Sequence, residues 1–106
     1  MSQVKISQLA YADINRIYEF LVDNNAEQQA KTVVGLLNDV FKQLERLPQM
    51  GKKYLLTIDG KTLENVRENK IRFGKGGYSF LHRYDDSNDT VLILTIKHYR
   101  EKSYQL

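Results

Sequence analysis

Residues 71–104 read IRFGKGGYSFLHRYDDSNDTVLILTIKHYREKSY, and the fold follows from this stretch. From Tyr78 to Tyr84 apolar and polar residues alternate. That two-residue period belongs to a strand with one covered face. From Thr90 to Ile96 the chain is almost continuously apolar and partly β-branched, which predicts a more deeply buried strand in the middle of a sheet. Phe73-Gly74-Lys75-Gly76-Gly77 and Asp85-Asp86-Ser87-Asn88-Asp89 separate the apolar runs. Both are short and rich in turn formers, so they suit connections between antiparallel strands. The glycines supply positive φ for a turn and do not form a phosphate-cradling motif. Lys97, His98, Tyr99, Arg100, Lys102 and Tyr104 come directly after the buried run.

Upstream, Val66 to Phe73 is a further strand, with Val66, Glu68, Lys70 and Arg72 on one face and Arg67, Asn69, Ile71 and Phe73 on the other. Leu55 to Ile58 reads as a short strand closed by Asp59-Gly60, and Gln49 to Tyr54 as a loop carrying the pair Lys52-Lys53. Ala30, Val33, Leu37, Val40, Phe41, Leu44 and Leu47 form one helical stripe within a helix over 26–46, which Pro48 ends. Asn25 and Gln28 predict its N-terminal cap. Gly35 inside it costs about 1 kcal/mol against alanine, which predicts close approach of a neighbouring helix. Ala10, Ile14, Ile17, Tyr18 and Leu21 make an amphipathic helix over 8–22, with Ser7 as its N-cap. Gln3 to Ser7 alternates and reads as an edge strand.

The order is strand, two helices, then three or four strands. Adjacent helices do not fit a doubly wound βαβ pattern. The fold class expected is α+β, βααβββ: an N-terminal helical hairpin packed on one face of a mostly antiparallel four-stranded sheet. The opposite face is expected to be partly open, with Arg72, His82, Arg83 and His98 as candidates for it, depending on register.

At 106 residues the chain is the size of one domain, and about two-thirds of its unfolded surface can be buried. There is no cysteine, which excludes disulfides and thiolate metal sites. His82 and His98 lack carboxylates at ligand spacing, so no metal and no cofactor is expected. No secretory signal and no membrane-spanning run is present, which points to a cytoplasmic protein without a membrane partner. The net charge is only +3, compatible with nucleic acid, an acidic protein partner or neither.

Several motifs follow in order: Ala12-Asp13-Ile14 with Ile17 and Tyr18; Leu47-Pro48 with Gly51; Val66-Arg67-Glu68, Ile71-Arg72-Phe73, Gly77-Tyr78 and Arg83-Tyr84; and Ile96-Lys97-His98-Tyr99-Arg100-Glu101 with Tyr104. In this order and spacing they resemble the RelE/ParE superfamily, the toxins of bacterial type II toxin–antitoxin systems, and more closely its ParE-like branch. The resemblance runs nearly the full length and implies a single toxin domain over residues 1–106. It also implies a cognate antitoxin, and contact with operator DNA only through that antitoxin.

The resemblance leaves two mechanisms. ParE-type toxins bind and poison DNA gyrase and so block replication. RelE-type toxins cut mRNA on the ribosome. For the nuclease, the resemblance places Arg72 and Arg100 on the phosphate and Tyr104 near a base, while His98 has the pKa range of a proton carrier. Three features favour the ParE-type reading: there is no lysine-rich segment before the second strand, the net charge is low for a ribosome binder, and only two residues follow Tyr104, leaving its ring poorly fixed. On that reading Lys70, Arg72, Arg83, Lys97, Tyr99, Arg100 and Lys102 form the surface for target or antitoxin. A third reading is a non-toxic antitoxin-binding module or co-repressor. Each residue also has a structural alternative. Arg72 can pair with Glu68, His98 can be a hydrogen-bonded strand-end histidine, Lys52-Lys53 can be a solvated loop, and Tyr78, Phe80 and Tyr84 can be sheet packing.

Overall fold

A computed structural model describes residues 1–106. The elements are β1 (Gln3–Ile6), α1 (Gln8–Asp23), α2 (Glu27–Arg46), β2 (Lys52–Lys53), β3 (Leu56–Ile58), β4 (Lys61–Leu63), β5 (Val66–Phe73), β6 (Gly76–Asp85) and β7 (Thr90–His98). The main sheet has five strands in the order β1-β7-β6-β5-β2. Only β1 runs parallel to its neighbour; the other pairings are antiparallel. The fold is α+β as expected, but the sheet has five strands instead of four. The extra strand is Lys52–Lys53, which pairs with Arg67 and Glu68. Two residues carry no period, so the rung is invisible to pattern reading. Leu56–Ile58 pairs with β4 alone, in a separate two-stranded sheet.

The core lies between the helices and one face of the sheet. Ala10, Ile17, Val33, Leu37, Phe41 and Leu44 meet Ile71, Tyr78, Phe80, Val91, Ile93 and Ile96. Phe41 and Phe80 touch edge to face with centroids 5.2 Å apart. Ser7 caps α1, its Oγ accepting from Ala10 N at 3.0 Å and donating to Leu94 O at 2.9 Å. One hydroxyl thus starts the helix and fastens it to β7.

Asp13 interrupts the apolar stripe of α1, yet it is buried. Its Oδ2 accepts from Thr95 Oγ1 at 2.7 Å and from Ile96 N at 3.0 Å. These donors lie beside the β-bulge at Leu81/His82, where the β6–β7 register shifts by one residue. A bulge disrupts the ladder locally, and a carboxylate from the helix above supplies the missing acceptor.

Three local expectations are corrected. Asn25 is no cap: the N-cap of α2 is Ala26, which makes no side-chain bond, and Asn25 sits at φ 60, making the bend between helices. Gly35 is not approached closely, because a Cβ there meets nothing within 4 Å; nothing in the structure requires glycine. Leu47 leaves the stripe as the C-cap residue of α2 and is exposed.

The second sheet face is partly covered. Leu56, Val66 and Leu81 form a smaller cluster with Tyr54, Leu63, Leu94 and Tyr104. The β3–β4 hairpin and the C-terminal tail therefore both fold onto it. No helix is long and apolar enough to cross a membrane.

Candidate functional site

Alternation along the three long strands sorts the candidate residues. Arg72 lies opposite Gly77, Lys70 opposite Ser79, Val66 opposite Arg83, and Ser79 opposite Lys97. Directly opposed residues share a face, and Val66 belongs to the outer cluster. Lys70, Arg72, Arg83 and Lys97 therefore stand on the face turned away from the helices. Arg72 and Lys70 are exposed, and neither forms an ion pair. The pairing of Arg72 with Glu68 does not form, because Glu68 is engaged elsewhere. Arg83 Nε donates to Glu64 O at 3.1 Å, and Lys97 Nζ donates to Glu101 O at 3.1 Å.

Glu68 is held by the tail. Tyr104 Oη lies 2.7 Å from Glu68 Oε2 and 2.7 Å from Ser79 Oγ. Lys97 Nζ sits 5.2 Å from the centroid of its ring, and Tyr54 meets it edge-on at 5.8 Å. Tyr104 is thus well fixed despite the short segment behind it, correcting the expectation. Burial first, and then its bond to Glu68, push its phenol far above the ordinary range. Such a group does not exchange a proton near neutral pH.

His82 and His98 both belong to the helix side, so neither lies on the outer face. His82 is fully buried, with Nδ1 2.9 Å from Asn69 Nδ2 and Nε2 2.8 Å from Pro48 O. His98 is opposite Tyr78, their rings edge to face at 5.1 Å. Its Nδ1 accepts from Arg100 N at 3.0 Å. Burial lowers its pKa first, and the charges of Arg100 and Lys97 add to this against the pull of Glu101. His98 and Arg100 line a cavity against α1 with Ile17, Phe20, Leu21 and Tyr78.

Glu101, absent from the sequence-derived set, braces this end. Its Oε1 accepts from Arg16 Nη1 at 2.9 Å and from His98 N at 3.1 Å. Burial raises its pKa, but the His98 N–H and Arg16 outweigh that and lower it. The brace links residues 85 apart in sequence, so no local pattern announces it. Tyr99, partly exposed, lies against Gly77, where a Cβ would come within 2.8 Å of its Cζ. Lys102 is exposed in the tail.

The candidate residues therefore fall into two groups. Arg72 and Tyr104 belong to the outer face, while His98 and Arg100 belong to the cavity beside α1, and no hydrogen bond joins the pairs. No three His, Cys, Asp or Glu side chains gather at metal-ligand spacing.

No curated protein matches the chain by sequence alone. Among solved structures, a chain of the structure described as "Chromosomal ParDE TA system from P. aeruginosa" is similar at 20% identity and TM-score 0.66, covering 92% of this chain and 96% of that one. A free E. coli RelE double mutant is similar at 13% identity and TM-score 0.63, covering 93% and 84% respectively. A chain of the Mycobacterium tuberculosis RelBE2 toxin–antitoxin complex is similar at 22% identity and TM-score 0.54, covering 92% and 96%. These likenesses establish the shared fold. The family model described as the ParE toxin of the type II toxin–antitoxin system, parDE, matches residues 4–103, and the chain belongs to that family.

Proposed function

We propose that this chain is a toxin that binds and poisons DNA gyrase and is neutralised by a cognate antitoxin. The observation that carries this reading is the division of the four residues a nuclease would need. An RNA-cleaving site needs a base, cations and an acid around one phosphate. Here Arg72 and Tyr104 lie on one side of the sheet and His98 and Arg100 at a cavity on the other. The Tyr104 phenol is also committed to Glu68. What remains is a surface suited to binding: Lys70, Arg72, Arg83 and Lys97 on the outer face, with Tyr99, Arg100 and Lys102 after the end of β7. Exposed cations without carboxylate partners favour an acidic partner and speed its docking.

Induction of the chain without its antitoxin is expected to give filamentous cells and a DNA-damage response, with transcripts intact. Tyr104→Phe should keep this toxicity, because the change removes the two hydrogen bonds to Glu68 and Ser79, each worth about 1 kcal/mol, and no chemistry. Mapped RNA ends inside translated codons, lost in Tyr104→Phe, would establish the ribosome-dependent nuclease instead. Normal growth on induction would leave only the antitoxin-binding or co-repressor role.

A further inference from the structure

The cavity beside α1 encloses about 300 Å³ between Ile17, Phe20, Leu21, Tyr78, His98 and Arg100. That is the lower end of the roughly 300–1,000 Å³ typical of ligand pockets, and it suits a side chain better than a cofactor. Its floor is apolar. Phe20 stands at its edge with 65% of its surface exposed, more than Leu9, Tyr11 or Val22, the other exposed large apolar side chains of α1.

The rim carries two guanidinium groups and one carboxylate, from Arg16, Arg100 and Glu101. Glu101 is spent within the protein on Arg16 and the His98 N–H. Arg16 is shared between Glu101 and Asp13. Arg100 alone has an exposed side chain with no acid beside it. The cavity thus offers apolar walls and one uncompensated cation.

We infer that this cavity is an anchor site for the antitoxin, taking one apolar side chain whose neighbouring carboxylate pairs with Arg100. The inference rests on the antitoxin reading above. Charge complementarity selects the occupant: the chain is basic, with pI about 9.1, and the free charge at the cavity is positive. An apolar anchor in a desolvated pocket with a charged pair at its rim is the usual form of an interface hot spot. The anchor lies on the helix side, apart from Lys70 and Arg72, so an antitoxin that uses both regions must wrap around the end of β7.

The test is the affinity of the antitoxin encoded beside this chain for purified variants. Phe20→Ala and Arg100→Glu are surface changes that leave the core intact. Each is expected to weaken binding by about tenfold or more, and Arg100→Glu should also reduce the salt dependence. Lys42→Glu, an equal charge change on exposed α2 surface outside the cavity, should change affinity less than twofold. A photo-crosslinking benzoylphenylalanine at position 20 should capture the antitoxin. If the wild-type chain binds and both cavity variants bind equally well, the anchor site is wrong while the antitoxin reading stands. If the wild-type chain does not bind at all, both fail.

Discussion

Gly77→Ala is expected to destabilise the protein by about 3 kcal/mol or more, a large part of the 5–15 kcal/mol that holds a domain folded. The added Cβ would lie 2.3 Å from Ile71 O and 2.8 Å from Tyr99 Cζ, at a residue with φ +157. Backbone oxygen of the paired strand cannot swing away as a side-chain tip can. The alternative is to part β5 from β6, the hairpin on which the outer face is built. Relief by moving Tyr99 would disturb the chain just past β7, where Arg100 and Glu101 follow. Gly74→Ala isolates the cause. Gly74 has φ +62 but open space around its Cβ, so it should cost only about 1–2 kcal/mol, the left-handed penalty. Urea unfolding of both variants makes the comparison. Equal losses would show that the close approach at Gly77 is unimportant.

Stability should also fall as pH drops below about 6.5, the ordinary value for histidine, because of His82. The neutral ring satisfies both neighbours, with Nε2–H donating to Pro48 O and Nδ1 accepting from Asn69 Nδ2. Burial lowers its pKa first; the Pro48 bond opposes this, and the charge of Arg67 adds to it. The sign follows from proton binding. Below 6.5 the unfolded chain takes up a proton that the folded chain refuses. Stability is therefore full above 6.5 and is lost towards the lowered native pKa, at up to about 1.4 kcal/mol per pH unit. His98, also lowered, adds to the same window. His82→Leu should flatten much of the slope between pH 5.5 and 7.5. It should also cost about 2–4 kcal/mol at pH 7.5, from the unsatisfied Asn69 amide and Pro48 carbonyl. An unchanged slope in His82→Leu would contradict the buried neutral histidine.

The long strands and both helices were legible in the sequence because each repeats a period over many residues. Thr90 to Ile96 needed only its apolar run to be placed inside a sheet, and Ser7 only its position before a helical pattern. The failures share a cause. Lys52–Lys53 is too short to show a period, and the chain comes close to β5 just before it, at Gly51. A Cβ at Gly51 would lie 2.5 Å from Glu68 O. No local pattern announces the burial of Asp13, because its donors are on β7, more than eighty residues away. His82 read as a surface candidate because alternation alone cannot say which face the helices cover. Within the candidate site, the cations past β7 were visible as residue types at a strand end. The brace by Glu101, the seat of Tyr104 and the cavity under Phe20 are tertiary products. The only local hint was Phe20 itself, a large apolar residue outside the stripe of α1.

The gyrase reading meets its most direct test in a cleavage assay with purified DNA gyrase, supercoiled plasmid and this chain. The expected result is accumulation of gyrase-linked, broken DNA in proportion to added toxin, reversed by the antitoxin. Unaltered gyrase activity at saturating toxin, with mRNA cut on translating ribosomes by the same preparation, would contradict it.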